Sequence, residues 1–364
     1  MNKFFELAKI AIDRKTQFDE APTQKEWEEM LRVAYKQSVQ GVMAEVFYDR
    51  IPAEQFPEHR LFLVWMGIQK KITIDNRRLD ECSAAVQKIF DEGGFRSCIL
   101  KGQGTALYYP VPTDRQAGDV DVWVEGSRDA IIRFLKERGY KIKRIVYHHA
   151  EVGIFDDVEV EVHFRPSLMY NPITNYRLHR FFDEQKEAQF TAPPCDRGFR
   201  RTSVEFDAVF SLVHIYRHLL EEGVGLRQLM DYYYILHHLP AEKRAYVMNW
   251  VRRLRMKRFA GAVMFVLKTV FDIEDEYLLC PPDDVWGVFV LDEIMLSGNF
   301  GQFDGRLRRN PNDRRLKKFA KKSNRQVRFL SAFPSEVLAF PLFRVGQFLW
   351  RLLRGYDKIS WKKR

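Results

Sequence analysis

A short run of alternating residues, Asp119–Val124, restricts the fold of this chain more than any other feature. Successive side chains of a β-strand point to opposite faces, so the three valines of this run share one face while Asp119 and Asp121 share the other. The valine face requires an apolar core to cover it. The sequence therefore predicts a strand that is anchored in a core and carries two carboxylates on its other face.

Further strand-like runs surround this one. The predicted strands are 97–100, 119–124, 141–147, 151–155 and 158–164, with a helix at 127–138 between the second and the third strand. Gly139 is suited to end that helix, because glycine adopts the left-handed backbone of a helix C-cap at little cost. The segment therefore predicts a mixed α/β core.

Helical patterns occupy both flanks of this core. Residues 1–95 repeat apolar positions three and four apart, and Thr23 and Glu26 have the spacing of a capping box at a helix start. The helical pattern returns after residue 194. The predicted fold class is α+β, a mixed β-sheet core flanked by N-terminal and C-terminal helical regions. The predicted domains are a helical region 1–95, an α/β core 96–200, a helical domain 201–305 that lines a cleft, and a basic helical tail 306–364.

Composition excludes several classes of protein. With 364 residues, 46% of them hydrophobic and 30% charged, the chain has the balance of a globular protein rather than a disordered or fibrous one. Charged residues interrupt every apolar run well before the about 20 residues that a membrane-spanning helix needs. The four cysteines are scattered, so neither a disulfide framework nor a structural zinc site is indicated. Together these features favour a cytoplasmic location.

The paired carboxylates indicate a metal ion. Two carboxylates that project together from one strand repel each other unless a cation lies between them, and Mg²⁺ takes oxygen ligands of this kind together with substrate phosphates. Mn²⁺ accepts the same ligands and is the alternative. An Asp-x-Asp pair alone is weak evidence in a chain with 49 acidic residues. The acidic run at residues 272–276, for example, shows no strand alternation and is assigned to a solvated helix end or loop.

Two further features strengthen the indication. In the predicted strand 158–164, Glu159 and Glu161 share a face with His163, so either glutamate can supply a third carboxylate. Lys101 and Gly102 follow a predicted strand and precede a short predicted helix, where free backbone amides and a lysine can approach phosphate. A plain turn explains the latter pair equally well.

Taken in order, these motifs resemble the uncharacterised nucleotidyltransferase family of the DNA polymerase β-like superfamily. The resemblance covers roughly residues 80–240 and includes Lys101-Gly102, Tyr109-Pro110, Arg115, Gly118–Asp121, Gly139-Tyr140 and Glu159–His163. It implies a nucleotidyltransferase-like sheet in which Asp119, Asp121 and Glu161 bind the metal and carry catalysis. It also implies that Lys101, Gly102, Gln103 and Arg115 serve the nucleotide. The usual Gly-Ser after the first strand is Gly102-Gln103 here, and the spacing to the carboxylates is longer.

Several residues of the following helical region are further candidates. His214 and His218 lie four apart on one predicted helix face, and Arg227 and Asp231 follow, as the resemblance implies for a helix after the core. These four residues either line the nucleotide or acceptor pocket or satisfy buried polar groups between helices. The two vicinal pairs at residues 148–149 and 237–238 are interpreted as surface or strand-end histidines without a role.

The function predicted from these residues is transfer of a nucleoside monophosphate from an NTP to a hydroxyl acceptor, with release of pyrophosphate. The acceptor stays open among a small molecule, a protein and an RNA end. The alternative is a non-catalytic protein of the same fold that docks through its basic tail to nucleic acid or an anionic membrane surface. Residues 306–364 hold 18 Lys or Arg against three acidic residues, a balance of +15, so the net charge of +10 comes from this tail. Such a tail is compatible with a peripheral position at the membrane.

Overall fold

The computed structural model describes residues 2–306 and 315–356, except the side chains of residues 315–319. Within these ranges the chain forms one five-stranded mixed sheet among many helices, so the predicted α+β class is confirmed. The strands are β1 Ser97–Leu100, β2 Val120–Val124, β3 Lys141–Ile145, β4 His149–Gly153 and β5 Val160–His163. Their order across the sheet is β1-β2-β5-β4-β3.

The pairing of the strands brings the polar motifs together. β2 lies antiparallel to β1 and parallel to β5, and β4 lies antiparallel to both β5 and β3. In the parallel pair Asp121 is the register partner of Glu161. Residues paired in this way project on the same face of a sheet. The predicted strands agree with these five, with the largest shift at β4, which begins at His149 rather than at residue 151.

The helices agree with the predicted flanks. The α-helices are α1 Asn2–Ala11, α2 Gln24–Gln37, α3 Gln40–Met43, α4 His59–Glu92, α5 Gly102–Ala106, α6 Arg128–Glu137, α7 Pro172–Thr191, α8 Val204–Glu221, α9 Leu226–His238, α10 Ala241–Arg253, α11 Lys257–Phe271, α12 Asp284–Ser297, α13 Arg315–Val327 and α14 Pro334–Leu353. The Thr23 side chain caps α2 and Glu26 completes the predicted capping box. No helix within the described ranges is both long and apolar enough to cross a membrane.

The chain divides into two compact units, and each is discontinuous in sequence. We call Met1–Asp80, Thr105–Gly118 and Val204–Arg314 the helical unit, and Glu81–Gly104, Asp119–Ser203 and Arg315–Arg364 the sheet unit. The four ranges predicted from the sequence are contiguous, because they follow secondary-structure content rather than contacts. Residues 307–314 and 357–364 of the predicted tail lie outside the described residues.

The sheet unit covers β2 on both faces. Val120, Val122 and Val124 are buried, as the alternation predicts. On the other face Trp123 packs against Phe190 of α7, with 4.6 Å between ring centroids. Asp121 therefore lies on the same face of β2 as this aromatic contact.

The helical unit contains two neighbouring carboxyl groups, of which Asp114 is buried and Glu45 is partly exposed. Gln69 Nε2 lies 3.0 Å from an oxygen of Glu45 and 3.0 Å from an oxygen of Asp114. Burial, together with the hydrogen bond and the charge of Glu45, raises the pKa of Asp114 to about 8. Asp114 thus keeps its proton in the folded chain over a pH range in which an unfolded aspartic acid has lost it.

This shift makes stability depend on pH. Because the folded chain keeps a proton on Asp114 that the unfolded chain releases, the contribution of Asp114 to the free energy of unfolding falls as pH rises from about 4 to about 8. Asp114→Asn removes the carboxyl group that titrates, so it is expected to raise the melting temperature at pH 8 more than at pH 5. The exposed Asp292→Asn is the matched control. Melting curves at both pH values check the prediction, and an equal effect of Asp114→Asn at the two values would contradict it.

Candidate active site

The turn after β1 has an unusual backbone. Lys101 and Gly102 both have positive φ angles, 36° and 48°. A side chain on Gly102 would be strained in this conformation, and its Cβ would lie 3.4 Å from the main-chain oxygen of Asp119. The turn therefore passes close to the start of β2, and Gly102 permits it.

Asp121 is the centre of the polar cluster. Its side chain is only 1% exposed, and each of its oxygens contacts a cationic side chain. Lys101 Nζ lies 2.9 Å from Oδ2, and His163 Nε2 lies 2.8 Å from Oδ1. A buried carboxylate is costly unless charged or hydrogen-bonding partners compensate it, and here both oxygens have such a partner.

Glu161 extends the cluster toward β4. One of its oxygens, Oε2, lies 3.3 Å from His163 Nε2 and 3.6 Å from His149 Nδ1. Its side chain is 25% exposed, so the cluster reaches solvent at this residue. The polar side chains therefore form one continuous cluster, which consists of Lys101, Asp121, His163, Glu161 and His149.

The charges of this cluster stabilise one another. Burial alone would lower the pKa of Lys101, but the negative charges of Asp121, Asp119 and Glu161 raise it above its ordinary value. Burial also opposes protonation of His163, yet hydrogen bonds to Asp121 and Glu161 raise its pKa to about 9. Both side chains are therefore cations at neutral pH.

The pKa values of Glu161 and His149 are both lowered from their ordinary values. Burial would raise the pKa of Glu161, but the hydrogen bond from His163 and the nearby cationic charges lower it to about 2. Burial and the charge of His163 lower the pKa of His149 to about 4. At neutral pH Glu161 is thus a carboxylate, and the His149 ring is neutral.

The remaining residues predicted for the metal and the triphosphate lie at the ends of these strands. Asp119 directly precedes β2, is partly exposed, and contributes its charge to Lys101. Gln103 is buried in the first turn of α5. Glu159, the alternative third carboxylate, is exposed and precedes β5, whereas Glu161 lies beside Asp121.

The donor set suits a cation. Asp121, Glu161 and His163 each offer one ligand atom, and these atoms lie within 4.8 Å of one another. Two of the three are carboxylates from neighbouring strands, the oxygen donors that Mg²⁺ and Mn²⁺ prefer. Asp121 already pairs with two cationic side chains, Lys101 and His163, and His163 would have to release a proton to act as a ligand itself.

Arg115 and Asp231 belong to the helical unit and bind each other. Arg115 Nε and Nη2 donate hydrogen bonds of 2.7 Å and 2.9 Å to the two carboxylate oxygens of Asp231. The hydroxyl of Tyr109 donates a further bond of 2.6 Å to Asp231. Asn76 Nδ2 lies 2.7 Å from the main-chain oxygen of Arg115 and fixes the backbone there. These contacts hold the chain segment that leads in sequence to Asp119.

The other three candidates in the helical unit are His214, His218 and Arg227. The rings of His214 and His218 are 4.2 Å apart between centroids, so the predicted shared helix face is present. Arg227 donates a 3.3 Å hydrogen bond to the main-chain oxygen of Gln116 and lies over the ring of Phe300. All three are buried or half-buried.

Sequence reasoning missed His148 and His149 as members of this cluster. The predicted strand-end position is correct for His149, which begins β4, but the interpretation of this pair as surface residues is wrong. His148 is 8% exposed, and its Nε2 lies 3.1 Å from His149 Nδ1. The pairing register of β4 and β5, which places His149 opposite His163, is the information from which they could have been identified.

The geometry defines an α+β protein with paired acidic side chains on adjacent parallel strands, beside a lysine-glycine turn. Residues 23–272 match the model of a family described as uncharacterised nucleotidyltransferase, and the chain belongs to that family. The predicted family is thereby confirmed, and the match extends beyond residues 80–240 on both sides.

The comparison with solved structures gives a distant likeness. The chain is similar to an antigenic nucleotidyltransferase-like protein from Paracoccidioides brasiliensis, with 14% sequence identity and a TM-score of 0.30. That alignment covers 49% of this chain and 93% of the other chain. No curated protein matches the sequence.

Proposed function

We propose that this protein is a metal-dependent nucleotidyltransferase that moves a nucleoside monophosphate from an NTP to a hydroxyl acceptor and releases pyrophosphate. The observation that carries the proposal is the position of Asp121 opposite Glu161 in a parallel strand pair, with Lys101 Nζ 2.9 Å from Asp121. Membership of a nucleotidyltransferase family supports the same reaction class. Acidic and cationic groups in one cluster suit a reaction that handles both a metal ion and phosphates.

The metal we propose is Mg²⁺, with Mn²⁺ as the alternative, held by Asp119, Asp121 and Glu161. When bound, such an ion would lower the pKa of the acceptor hydroxyl and neutralise charge on the triphosphate. His163 fixes the orientation of Asp121 through its 2.8 Å contact with Oδ1. Both oxygens of Asp121 contact cations, which supports its assignment to a site for positive charge.

The triphosphate is assigned to the turn after β1. Lys101 supplies a positive charge there, and the positive φ angles at Lys101 and Gly102 suit the concave backbone turns that bind anions through amide groups. Gln103 follows in the first turn of α5. We therefore propose that Lys101, Gly102 and Gln103 hold the phosphates, as the family resemblance implies.

The helical unit supplies the remaining assignments. Arg115 and Asp231 form a hydrogen-bonded salt bridge with each other. We therefore propose that they position the segment before Asp119 rather than bind the nucleotide directly. His214, His218 and Arg227 stay candidates for contact with the nucleotide or the acceptor. The acceptor itself is a small molecule, a protein hydroxyl or an RNA end.

A transfer assay tests this proposal. The protein would be incubated with Mg²⁺ and each NTP labelled at the α-phosphate, together with small-molecule, protein and RNA fractions. We expect pyrophosphate release and label in one fraction, and we expect Glu161→Gln to lose both. Asp156→Asn, an exposed aspartate of the same unit, should behave like wild type. Label transfer that persists unchanged in folded Glu161→Gln would contradict the assignment.

A surface stripe on α14 supports a second proposal. Five apolar side chains at spacings of three and four residues are at least half exposed, which places them on one helix face. They are Leu338 at 66%, Leu342 at 78%, Val345 at 52%, Leu349 at 52% and Leu353 at 88%. We propose that this stripe and the basic charge of residues 306–364 dock a cytoplasmic protein to an anionic membrane surface.

Vesicle binding checks the second proposal. We expect co-sedimentation with phosphatidylserine-containing vesicles, weaker binding to neutral phosphatidylcholine vesicles, and loss of binding in Leu342→Glu/Leu349→Glu. Val285→Glu changes an exposed apolar residue on another helix, 74% exposed, and should leave binding intact. Equal binding of the α14 variant and wild type would contradict docking through the stripe. Salt-sensitive binding to RNA but not to vesicles would favour nucleic acid instead.

A further inference from the structure

Three histidines of the sheet unit form a group with a different donor chemistry from the carboxylates. His148, His149 and His163 each offer a ring nitrogen, and these three atoms lie within 4.8 Å of one another. Imidazole nitrogens favour late first-row ions such as Zn²⁺, whereas Mg²⁺ prefers oxygen. Three histidines and an open position form a recognised zinc-binding arrangement.

The backbone brings these rings together. His149 begins β4 directly opposite His163 in β5. A bend at residues 147–148 precedes β4, so His148 does not follow the alternation of the strand. Its main-chain oxygen accepts a 2.8 Å hydrogen bond from the N–H of Phe164, the residue after His163. Main-chain hydrogen bonds thus fix the positions from which all three rings project.

The distances between the nitrogens suit a shared ion. Two nitrogens that ligate one tetrahedral Zn²⁺ lie about 3.3 Å apart, because Zn–N distances are ~2.0–2.1 Å. His148 Nε2 and His149 Nδ1 are 3.1 Å apart. These two rings therefore already approach the separation that one ion would impose.

His163 has the surroundings of a metal-bound histidine. Its Nε2 lies 2.8 Å from Asp121 Oδ1, and its Nδ1 is buried without a hydrogen-bond partner among the residues that the structure describes. Histidines that ligate metals generally donate their other ring N–H to a carboxylate or carbonyl oxygen. Nδ1 is accordingly the nitrogen that would bind an ion, and binding would release the proton that Nδ1 carries in the metal-free protein.

We propose that His148, His149 and His163 bind a divalent transition-metal ion of the zinc class, with Asp121 as the carboxylate partner of His163. The site is distinct in donors from the carboxylate site proposed for Mg²⁺, although Asp121 takes part in both. The proposal does not require nucleotidyl transfer, because it concerns binding of the ion alone.

Cobalt titration of the full chain tests this site. Tetrahedral Co²⁺ absorbs visible light through d–d transitions, so its binding is read directly by spectroscopy. We expect a tetrahedral spectrum at one Co²⁺ per chain, lost on addition of Zn²⁺ and retained in excess Mg²⁺. His148→Gln and His149→Gln are each expected to weaken Zn²⁺ affinity by at least about 100-fold, since loss of even an outer partner costs 10–100-fold.

Two controls make the outcome decisive. His237→Gln/His238→Gln changes the other vicinal histidine pair of the chain and should bind Zn²⁺ like wild type. Glu161→Gln keeps the three histidines and removes a charge beside two of them, so it should weaken Zn²⁺ binding less than His148→Gln and His149→Gln do. Melting curves verify that each variant is folded. Absence of a tetrahedral spectrum in wild type, or wild-type affinity in both folded His148→Gln and His149→Gln, would overturn the proposal. Loss of Zn²⁺ only in Glu161→Gln would overturn it as well.

Discussion

Asp121→Asn should lower nucleotidyl transfer by at least about 1,000-fold, which corresponds to roughly 4 kcal/mol of transition-state stabilisation. Asp121 is buried between two cationic side chains, and its carboxylate is the group from which the proposed metal site is built. An amide keeps the shape of the side chain but removes the charge. A steady-state transfer assay on wild type and variant measures the change.

The same substitution also affects the folded state, so a second variant separates the two effects. In Asp121→Asn the buried cations Lys101 and His163 lose a charged partner, and we expect a loss of about 1–3 kcal/mol in unfolding free energy. Asp119 is partly exposed, so Asp119→Asn should lose transfer with little change in stability. Wild-type transfer by folded Asp121→Asn would contradict its proposed role.

Asp231→Ala should destabilise the protein by about 3–5 kcal/mol, because it leaves a buried guanidinium without its counter-charge. The side chain of Arg115 is 5% exposed and that of Asp231 is 10% exposed, so solvent screens this pair little. The substitution also removes the acceptor of the 2.6 Å hydrogen bond from Tyr109. Chemical denaturation of the nucleotide-free protein measures the effect.

A double substitution sharpens this prediction. Arg115→Met/Asp231→Leu removes both charges and should recover most of the stability that Asp231→Ala loses. If these residues served mainly to bind the nucleotide, the nucleotide-free protein would tolerate either single change. A loss below about 1 kcal/mol in both Asp231→Ala and Arg115→Met would therefore contradict the structural role.

The carboxylate pair was predictable because it rests on local patterns. Alternation in two short runs places each of Asp121 and Glu161 on one face of its strand. The apolar residues that alternate with them must face the core, and this fixes the orientation of each strand. Which of Glu159 and Glu161 lies beside Asp121 could be decided only from the strand bounds. β5 begins at Val160, and pairing with β2 then sets Glu161 beside Asp121.

Contacts between distant segments were not predictable in the same way. Arg115 and Asp231 are 116 residues apart, and no local pattern states that each satisfies the other. His148 joins its neighbours because a bend breaks the alternation before β4, and sequence periodicity cannot locate such a bend. In both cases tertiary packing decides which polar groups meet.

Nucleotide binding with and without Mg²⁺ tests the central claim most directly, since a ligand of the native state raises its melting temperature. Melting curves would be recorded with each of the four NTPs for wild type and for Asp119→Asn/Asp121→Asn. We expect a Mg²⁺-dependent rise in melting temperature with at least one NTP, and its loss in the double variant. A cooperatively melting wild type that responds to no nucleotide, or a Mg²⁺-dependent rise that survives in the double variant, would contradict a metal-nucleotide site at these carboxylates.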